Sequence, residues 1–307
     1  LKKIVFIVAL LMMSISIVAC GNNNEHNKDN ISEKNKMKIF TTTFAFQSIT
    51  SQIGGKYTEV KSIYPAGADI HSYEPTQKDM LQIAKGDLFI YSSNTMDPVA
   101  GKIAKSINNK EMKLPLAESL KSSQLLKADE DEHSEYDPHI WLDPVVDRTF
   151  AKEIKNKLIE QDPKHRSYYE DNYKKVDKDL KNINEQLVKA TKHAKRHKVI
   201  ISHDSLGYLA KRYNFEQEGV NGMNDEEPSQ KKVLSIVHDI KDAKMPYVLY
   251  EQNISSKVTD VIKKETDTEP LSFHNMATLT KEEQNQDITY QSLMKKNIRS
   301  LQKALND

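Results

Sequence analysis

The chain has 307 residues, with 45 Lys and Arg against 44 Asp and Glu and a formal net charge of +1. That length accommodates about two domains at ~100–200 residues each, and the balanced charge excludes the basic excess of a nucleic-acid binder. The single cysteine excludes an intrachain disulfide and a Cys-based zinc finger, and neither G-x-G-x-x-G nor G-x-x-x-x-G-K-S/T occurs, so there is no glycine loop to cradle a phosphate.

Lys2 and Lys3 precede an apolar run from Ile4 to Ala19. A short basic stretch, a short apolar core and a small residue predict a secretory signal over 1–19. The run is shorter than the ~20 residues a spanning helix needs. It ends in Ile17-Val18-Ala19-Cys20-Gly21, which resembles the bacterial lipobox, so Cys20 is expected to be lipidated. Acyl chains contribute about 0.8 kcal/mol per buried methylene, and more than one chain holds a protein on a membrane. Residues 20–37 are polar and aperiodic and read as a flexible tether.

Met37 to Phe40, running into Thr41-Thr42-Thr43, reads as a first strand. Helical spacing from Phe44 to Ile53 stops at Gly54-Gly55. Val60 to Tyr64 is a second strand, closed by Pro65-Ala66-Gly67, and Lys78 to Ala84 a short amphipathic helix. Leu88-Phe89-Ile90-Tyr91 is a continuous apolar strand, as in a sheet covered on both faces. Helices are expected at 98–107 and 147–161, separated by an acidic loop at 129–137 that carries His133. From His165 to about Lys195 a long helical pattern places Val176, Leu180, Ile183, Leu187 and Ala190 on one face. A second set follows: strands at 198–202, 247–250 and 270–273, with helices at 207–213, 229–244, 255–265 and 288–305. The alternation predicts two α/β lobes with mainly parallel sheets, at 38–164 and 197–307, bridged by one long helix at 165–196.

Ten histidines need sorting. His165, His193, His197 and His238 lie in charged helical segments, as solvated surface histidines do. His71 and His203 follow strands, where ligands of open α/β sheets bind. His139 sits in Asp137-Pro138-His139-Ile140-Trp141-Leu142, beside the sole tryptophan. No H-E-x-x-H ties two of these together on a helix.

The segments 67–80 (GADIHSYEPTQKDM), 137–144 (DPHIWLDP) and 201–213 (ISHDSLGYLAKRY), with 226–233 and 254–269, resemble the metal-binding lipoproteins of bacterial zinc and manganese ABC importers, cluster A-I, and best their zinc-uptake subfamily. The resemblance runs over essentially the whole chain. It implies two lobes bridged by a rigid helix, a metal site in the interlobe cleft, and first ligands at His71, His139 and His203. Histidine at the third position marks zinc-type members; manganese-type members typically carry Glu there, and imidazole suits zinc where carboxylate suits manganese. Zinc-type relatives usually supply a fourth ligand from a Glu that this chain lacks. His274 stands closest to the vacated place, with Asp287, Glu251 or water as the other candidates; Glu251 is also placed to support a ligand from behind, and His133 to touch metal transiently.

The function implied is capture of Zn²⁺ outside the cytoplasm by a lipid-anchored, monomeric receptor, and its delivery to a membrane permease driven by a cytoplasmic ATPase. A manganese receptor of the same family is the first alternative. A second is a zinc hydrolase, with Glu74, Asp204 or Glu251 as general base, since three histidines and a water also make a catalytic zinc site.

Overall fold

The computed structural model describes residues 31–128, 135–252 and 257–307. The expected signal segment, Cys20, the tether up to residue 30, and His133 with most of its acidic loop lie outside the described residues. Residues 31–36 precede the first strand; Ile31 packs against the core, and Glu33 pairs with Lys56 at 2.7 Å.

The first lobe is built on β1 (Met37–Thr41), β2 (Thr58–Ser62), β3 (Leu88–Tyr91) and β4 (Lys113–Pro115). All pairs are parallel, in the order β2-β1-β3-β4. Parallel strands need crossover helices, and these are α1 (Phe44–Gly54), α2 (Gln77–Ala84) and α3 (Pro98–Ser106). Each helix starts and stops for a local reason. α1 ends at Gly55, whose φ of 51° is the left-handed region that glycine enters without a Cβ clash. α2 opens with a reciprocal capping box between Thr76 and Asp79. α3 opens on Asp97, whose side chain accepts the Ala100 N–H, with Pro98 in the first turn.

The second lobe repeats the plan with β5 (Lys198–His203), β6 (Glu216–Asn221), β7 (Tyr247–Glu251) and β8 (Glu269–Phe273). Its order is β6-β5-β7-β8, again all parallel. Its helices are α6 (Gly207–Tyr213), α7 (Gln230–Asp242), α8 (Lys257–Thr266) and α9 (Tyr290–Asn306). Between the lobes run α4 (Pro144–Gln161) and α5 (Arg166–Thr191).

The 26 residues of α5 extend over about 39 Å at ~1.5 Å per residue. Tyr169, Val176, Leu180, Ile183, Leu187 and Ala190 recur at helical spacing and are buried. That stripe packs on α1 and α4 at one end and on α9 at the other. One apolar core therefore runs from Ile39, Phe46 and Trp141 through α5 to Leu209, Leu249 and Leu301. Two smaller clusters cover the far faces of the sheets. Along β3, Leu88 and Ile90 face the shared core and Phe89 and Tyr91 the outer cluster, which is why four successive apolar residues are all buried. Among the described residues no helix is long and apolar enough to cross a membrane.

Two strands escape the sequence reading, β4 and β6. α4 begins three residues earlier than its periodicity suggests, because the Asp143 side chain caps the Val145 N–H and Pro144 preorganises the first turn.

Candidate metal centre

Three histidines from distant parts of the chain converge between the lobes. His71 lies in the loop between β2 and α2, His139 just before α4, and His203 is the last residue of β5. One nitrogen from each falls within 4.8 Å of the others. Ring centroids are 4.8 Å apart for His139 and His203, 5.4 Å for His71 and His203, and 5.5 Å for His71 and His139. His139 and His203 are buried and His71 is half-buried.

A carboxylate holds each of the three residues, through the ring in His139 and His203 and through the backbone in His71. His139 Nδ1 lies 2.9 Å from Asp137 Oδ1, which also accepts the His139 backbone N–H at 2.8 Å. The Nδ1 proton is thus spoken for, and Nε2, buried and with no hydrogen-bond partner, keeps its lone pair. His203 Nδ1 lies 2.8 Å from Glu251 Oε2, at the end of the neighbouring strand β7. Glu251 is itself held by the Ser205 hydroxyl, by Asn275 Nδ2 at 3.3 Å, and through its backbone N–H by Ser202 Oγ at 3.1 Å. His203 Nε2 bonds the Met223 carbonyl at 2.8 Å. His71 donates its backbone N–H to Asp69 Oδ1 at 2.9 Å, and Ser72 Oγ donates to the other oxygen at 2.7 Å, so Asp69 fixes the tight turn that presents the ring.

The charges follow from burial and pairing. Burial, with His139 and His203 close by, holds the His71 pKa down to about 3. Burial and then His203 hold His139 at about 3. Burial pulls His203 down too, but the Glu251 charge and hydrogen bond and the Met223 carbonyl outweigh it, raising His203 to about 9. Glu251 is lowered: burial raises it, and His203 and Ser205 more than compensate. Burial pushes Asp137 up to about 7. At neutral pH the group is two neutral imidazoles and one imidazolium paired with a carboxylate.

The second lobe also braces the first-lobe ligands. Tyr208 on α6 donates its hydroxyl to the Asp137 carbonyl at 3.1 Å. Gly207 lets α6 approach, since a Cβ there would sit 2.5 Å from Asp137 Oδ2. Arg212, also on α6, binds both carboxylate oxygens of Asp143, at 2.6 and 2.5 Å. Residues 275–279 cross to the first lobe: the Met276 and Ala277 carbonyls take the Ala45 and Phe44 N–H groups at the start of α1, Asn275 O takes Trp141 Nε1, and Leu279 O takes the Gly67 N–H.

That crossing segment accounts for His274, which the structure does not bring to the other three. His274 Nδ1 accepts the Met276 N–H at 2.9 Å, and Nε2 faces Glu283 Oε2 at 3.4 Å. With Nδ1 accepting, Nε2 carries the proton, and neither nitrogen has a lone pair left for a metal. The ring serves the turn in which Met276 takes a φ of 61°. Asp287 is exposed and outside the group. Glu251 sits behind His203, as a supporting carboxylate does. Beside His71 and His139 is a cavity of about 10 Å³, also lined by Asp69, Asn275 and Thr278. That is close to the ~10–15 Å³ one water requires. Asp137, Tyr208 and Arg212 were not singled out from sequence; Asp137 alone left a signal, as an acid two residues before a candidate ligand.

Two similarly wound lobes closing on a buried cluster of imidazoles define a bilobal solute-binding fold with a cation-sized site. The chain belongs to the family described as zinc-uptake complex component A, periplasmic (ZnuA), which matches residues 39–304. It is 29% identical to the high-affinity zinc uptake system protein ZnuA of Bacillus subtilis, over 98% of this chain and 96% of that one. It is similar in structure to Zn(II)-bound AdcA from Streptococcus pneumoniae, with a TM-score of 0.76 and 25% identity, covering 89% of this chain and 58% of that one. It is also similar to the metal-dependent lipoprotein YcdH of Bacillus subtilis, with a TM-score of 0.74 and 29% identity over 88% and 99% of the two chains.

Proposed function

We propose that the protein is a zinc receptor: it captures Zn²⁺ between its lobes through His71, His139 and His203 and hands the ion to an ABC permease powered by a cytoplasmic ATPase. No bond is made or broken; zinc is cargo. The observation that carries the reading is the gathering of three imidazole nitrogens within 4.8 Å, one of them buried without a partner. Zinc bonds imidazole nitrogen at ~2.0–2.1 Å, which puts tetrahedral donors about 3.3 Å apart, so the three nitrogens have to draw together around an ion. Binding through His203 Nε2 exchanges the Met223 carbonyl for the metal and releases the proton that Nε2 carries. Glu251 and Asp137 then stand as two carboxylates behind two ligands and offset the ion's two charges, an arrangement that also raises ligand basicity. The position left open is filled by water in the small cavity beside Asn275 and Thr278, not by His274.

An all-nitrogen protein donor set favours zinc over the harder Mn²⁺. A hydrolase needs a carboxylate free to take a proton from the metal-bound water, and Glu251 is committed to His203 and Ser205. Attachment to the outer face of the cell membrane through Cys20 completes the reading; it rests on the lipobox and on the lipoprotein names of relatives such as AdcA of Streptococcus pneumoniae. The test is a zinc titration of the metal-free protein against a competing chelator. One Zn²⁺ per chain, lost when His139 and His203 are both replaced by alanine, is the expected result; unchanged uptake by that double variant overturns the site.

A further inference from the structure

The nitrogen that zinc needs on His203 is covered by a single carbonyl. His203 Nε2 lies 2.8 Å from the Met223 oxygen, while Nδ1, 2.8 Å from Glu251 Oε2, keeps the buried ring from turning away. An ion at ~2.0–2.1 Å from Nε2 along the line of that bond would lie within about 1 Å of the oxygen. Zinc holds oxygen ligands at ~2.0–2.2 Å, so the carbonyl has to withdraw by more than about 1 Å even to join the shell, and farther to leave it.

Met223 belongs to the segment 221–226, which leads from the end of β6 toward α7 and is stapled to itself. The Gly222 N–H donates to the Glu226 carbonyl and the Asp225 N–H to the Gly222 carbonyl, both at 3.0 Å. Asn221 Nδ2 donates to Asp225 Oδ1 at 2.6 Å, and Glu226 Oε2 accepts the Asn224 N–H at 3.1 Å. Gly222 leaves room for that carboxylate, since a Cβ there would sit 2.5 Å from Oε2. Asn224 lines a cavity of about 180 Å³, so one side of the segment borders open space. A loop bonded to itself offers its carbonyl to His203 at little further ordering cost, and moves as one piece when that carbonyl is displaced.

We propose that 221–226 is a metal-sensitive strap: without metal it is latched to His203 through the Met223 carbonyl, and bound zinc drives it off, so that the empty and loaded proteins present different surfaces beside the site. The proposal rests on the zinc-receptor reading and adds the part that moves. Strap and ion compete for one nitrogen, so their coupling is reciprocal. Whatever returns the strap to His203 weakens the hold on zinc, and whatever loosens the strap tightens it.

The test follows Met223 itself. It is 8% exposed, as is Met245 in the outer cluster of the same lobe. Hydrogen peroxide converts accessible methionine to its sulfoxide, and peptide mass spectrometry of the full chain, metal-free and loaded with one equivalent of Zn²⁺, reads both residues. Met223 should oxidise about tenfold faster with zinc bound, with Met245 unchanged as the internal standard. Ordinary stabilisation by a ligand would slow both, so equal or slower oxidation of Met223 in the loaded chain overturns the strap. Glu226→Ala removes the Asn224 brace from an exposed position. It should tighten zinc binding about threefold or more in chelator competition, because the loosened strap returns to His203 at a higher ordering cost. Loss of a negative charge would by itself weaken binding. Unchanged or weaker binding by Glu226→Ala overturns the strap and leaves the zinc reading standing; a parent chain that takes up no zinc overturns both.

Discussion

The two lobes share a winding but use it differently. In each sheet the strand order changes direction between the first and third strands, β1 and β3 in one lobe and β5 and β7 in the other. Such a switch point, at the carboxyl ends of the strands, is where open α/β sheets bind ligands. In the second lobe it holds His203 at the end of β5 and Glu251 at the end of β7, 2.8 Å apart. In the first lobe the corresponding ends carry hydroxyls, Thr41, Thr42 and Ser92, and the ligands come from loops, His71 after β2 and His139 before α4. One ligand is thus placed by a strand and a buried carboxylate, and two by loops that the other lobe braces through Tyr208, Arg212 and residues 275–279. Exposure follows the same ranking: His203 is 0% exposed, His139 1%, and His71 is half-buried.

The comparison breaks first on the ligands themselves. His203→Ala should cost the largest share of zinc affinity, about a thousandfold or more, because it leaves Glu251 buried without its cation as well as removing a ligand. His139→Ala should follow closely. His71→Ala should cost roughly tenfold less than either, since water reaches that half-buried position and substitutes as a ligand. Chelator competition on the three purified variants checks the order; His71→Ala as the most damaging would reverse the assignment of rigid and loop-borne ligands.

The supporting carboxylates come next. Glu251→Gln and Asp137→Asn should each lower zinc affinity about 10- to 100-fold, the usual effect of removing the acceptor behind a metal-bound histidine. Glu251→Gln should also abolish the elevated His203 pKa of about 9, which a histidine titration followed by NMR reads directly. A variant that keeps that pKa would mean the Met223 carbonyl, not Glu251, holds the proton on His203.

The pH dependence sharpens the same contrast with a smaller effect per unit. His71 and His139, with pKa values near 3, are already neutral at pH 5 and above and release nothing. His203, at about 9, must lose a proton to bind. Apparent zinc affinity should therefore fall about tenfold per unit as pH drops from about 9 to about 7. Below about 7 Asp137 takes up a second proton in the metal-free state, and the slope should steepen toward two. The apo protein runs the other way. The His203 pKa is raised on folding, so its contribution to stability is complete below about 6.5 and is lost as pH rises through about 9. A three-proton slope centred near pH 6 would indicate three ordinary histidines and no buried ion pair.

The sequence is legible where a single local pattern decides the outcome and opaque where a partner is remote. β1, β3, β5 and β7 are inner strands or lie beside the shared core, and their buried runs, such as LFIY at 88–91, declare themselves. β4 and β6 are edge strands of their sheets, as are β2 and β8. β2 and β8 still carry a short alternating or apolar stretch, whereas KLP is only three residues long and EQEGVN is mostly polar, and the same reading misses both. The three histidines and the supporting place of Glu251 are legible in the sequence, while the supporting roles of Asp137, Tyr208 and Arg212 are not. Tyr208 lies 71 residues from Asp137 and Arg212 lies 69 from Asp143, separations at which only the assembled fold brings the groups together.

His274 is the case where motif position and side-chain direction part, and it carries the smallest expected effect on binding. Spacing puts it near the missing family Glu, but direction is set by residues far along the chain. Asn297 on α9 takes its backbone N–H at 2.8 Å and donates to its carbonyl at 2.7 Å, and Glu283 faces the ring. The ring turns away from the other histidines and closes the turn that lets residues 276 and 277 cap α1. His274→Ala should thus leave zinc affinity within about twofold of the parent. The cost should appear in stability, about 1–3 kcal/mol, because the buried Met276 N–H loses its acceptor. His274→Asn offers an oxygen near Nδ1 and should recover part of that loss in a denaturant titration. A His274→Ala variant of unchanged stability but much weaker zinc binding would place the imidazole back on the metal, and would mean that the turn rearranges when the ion arrives.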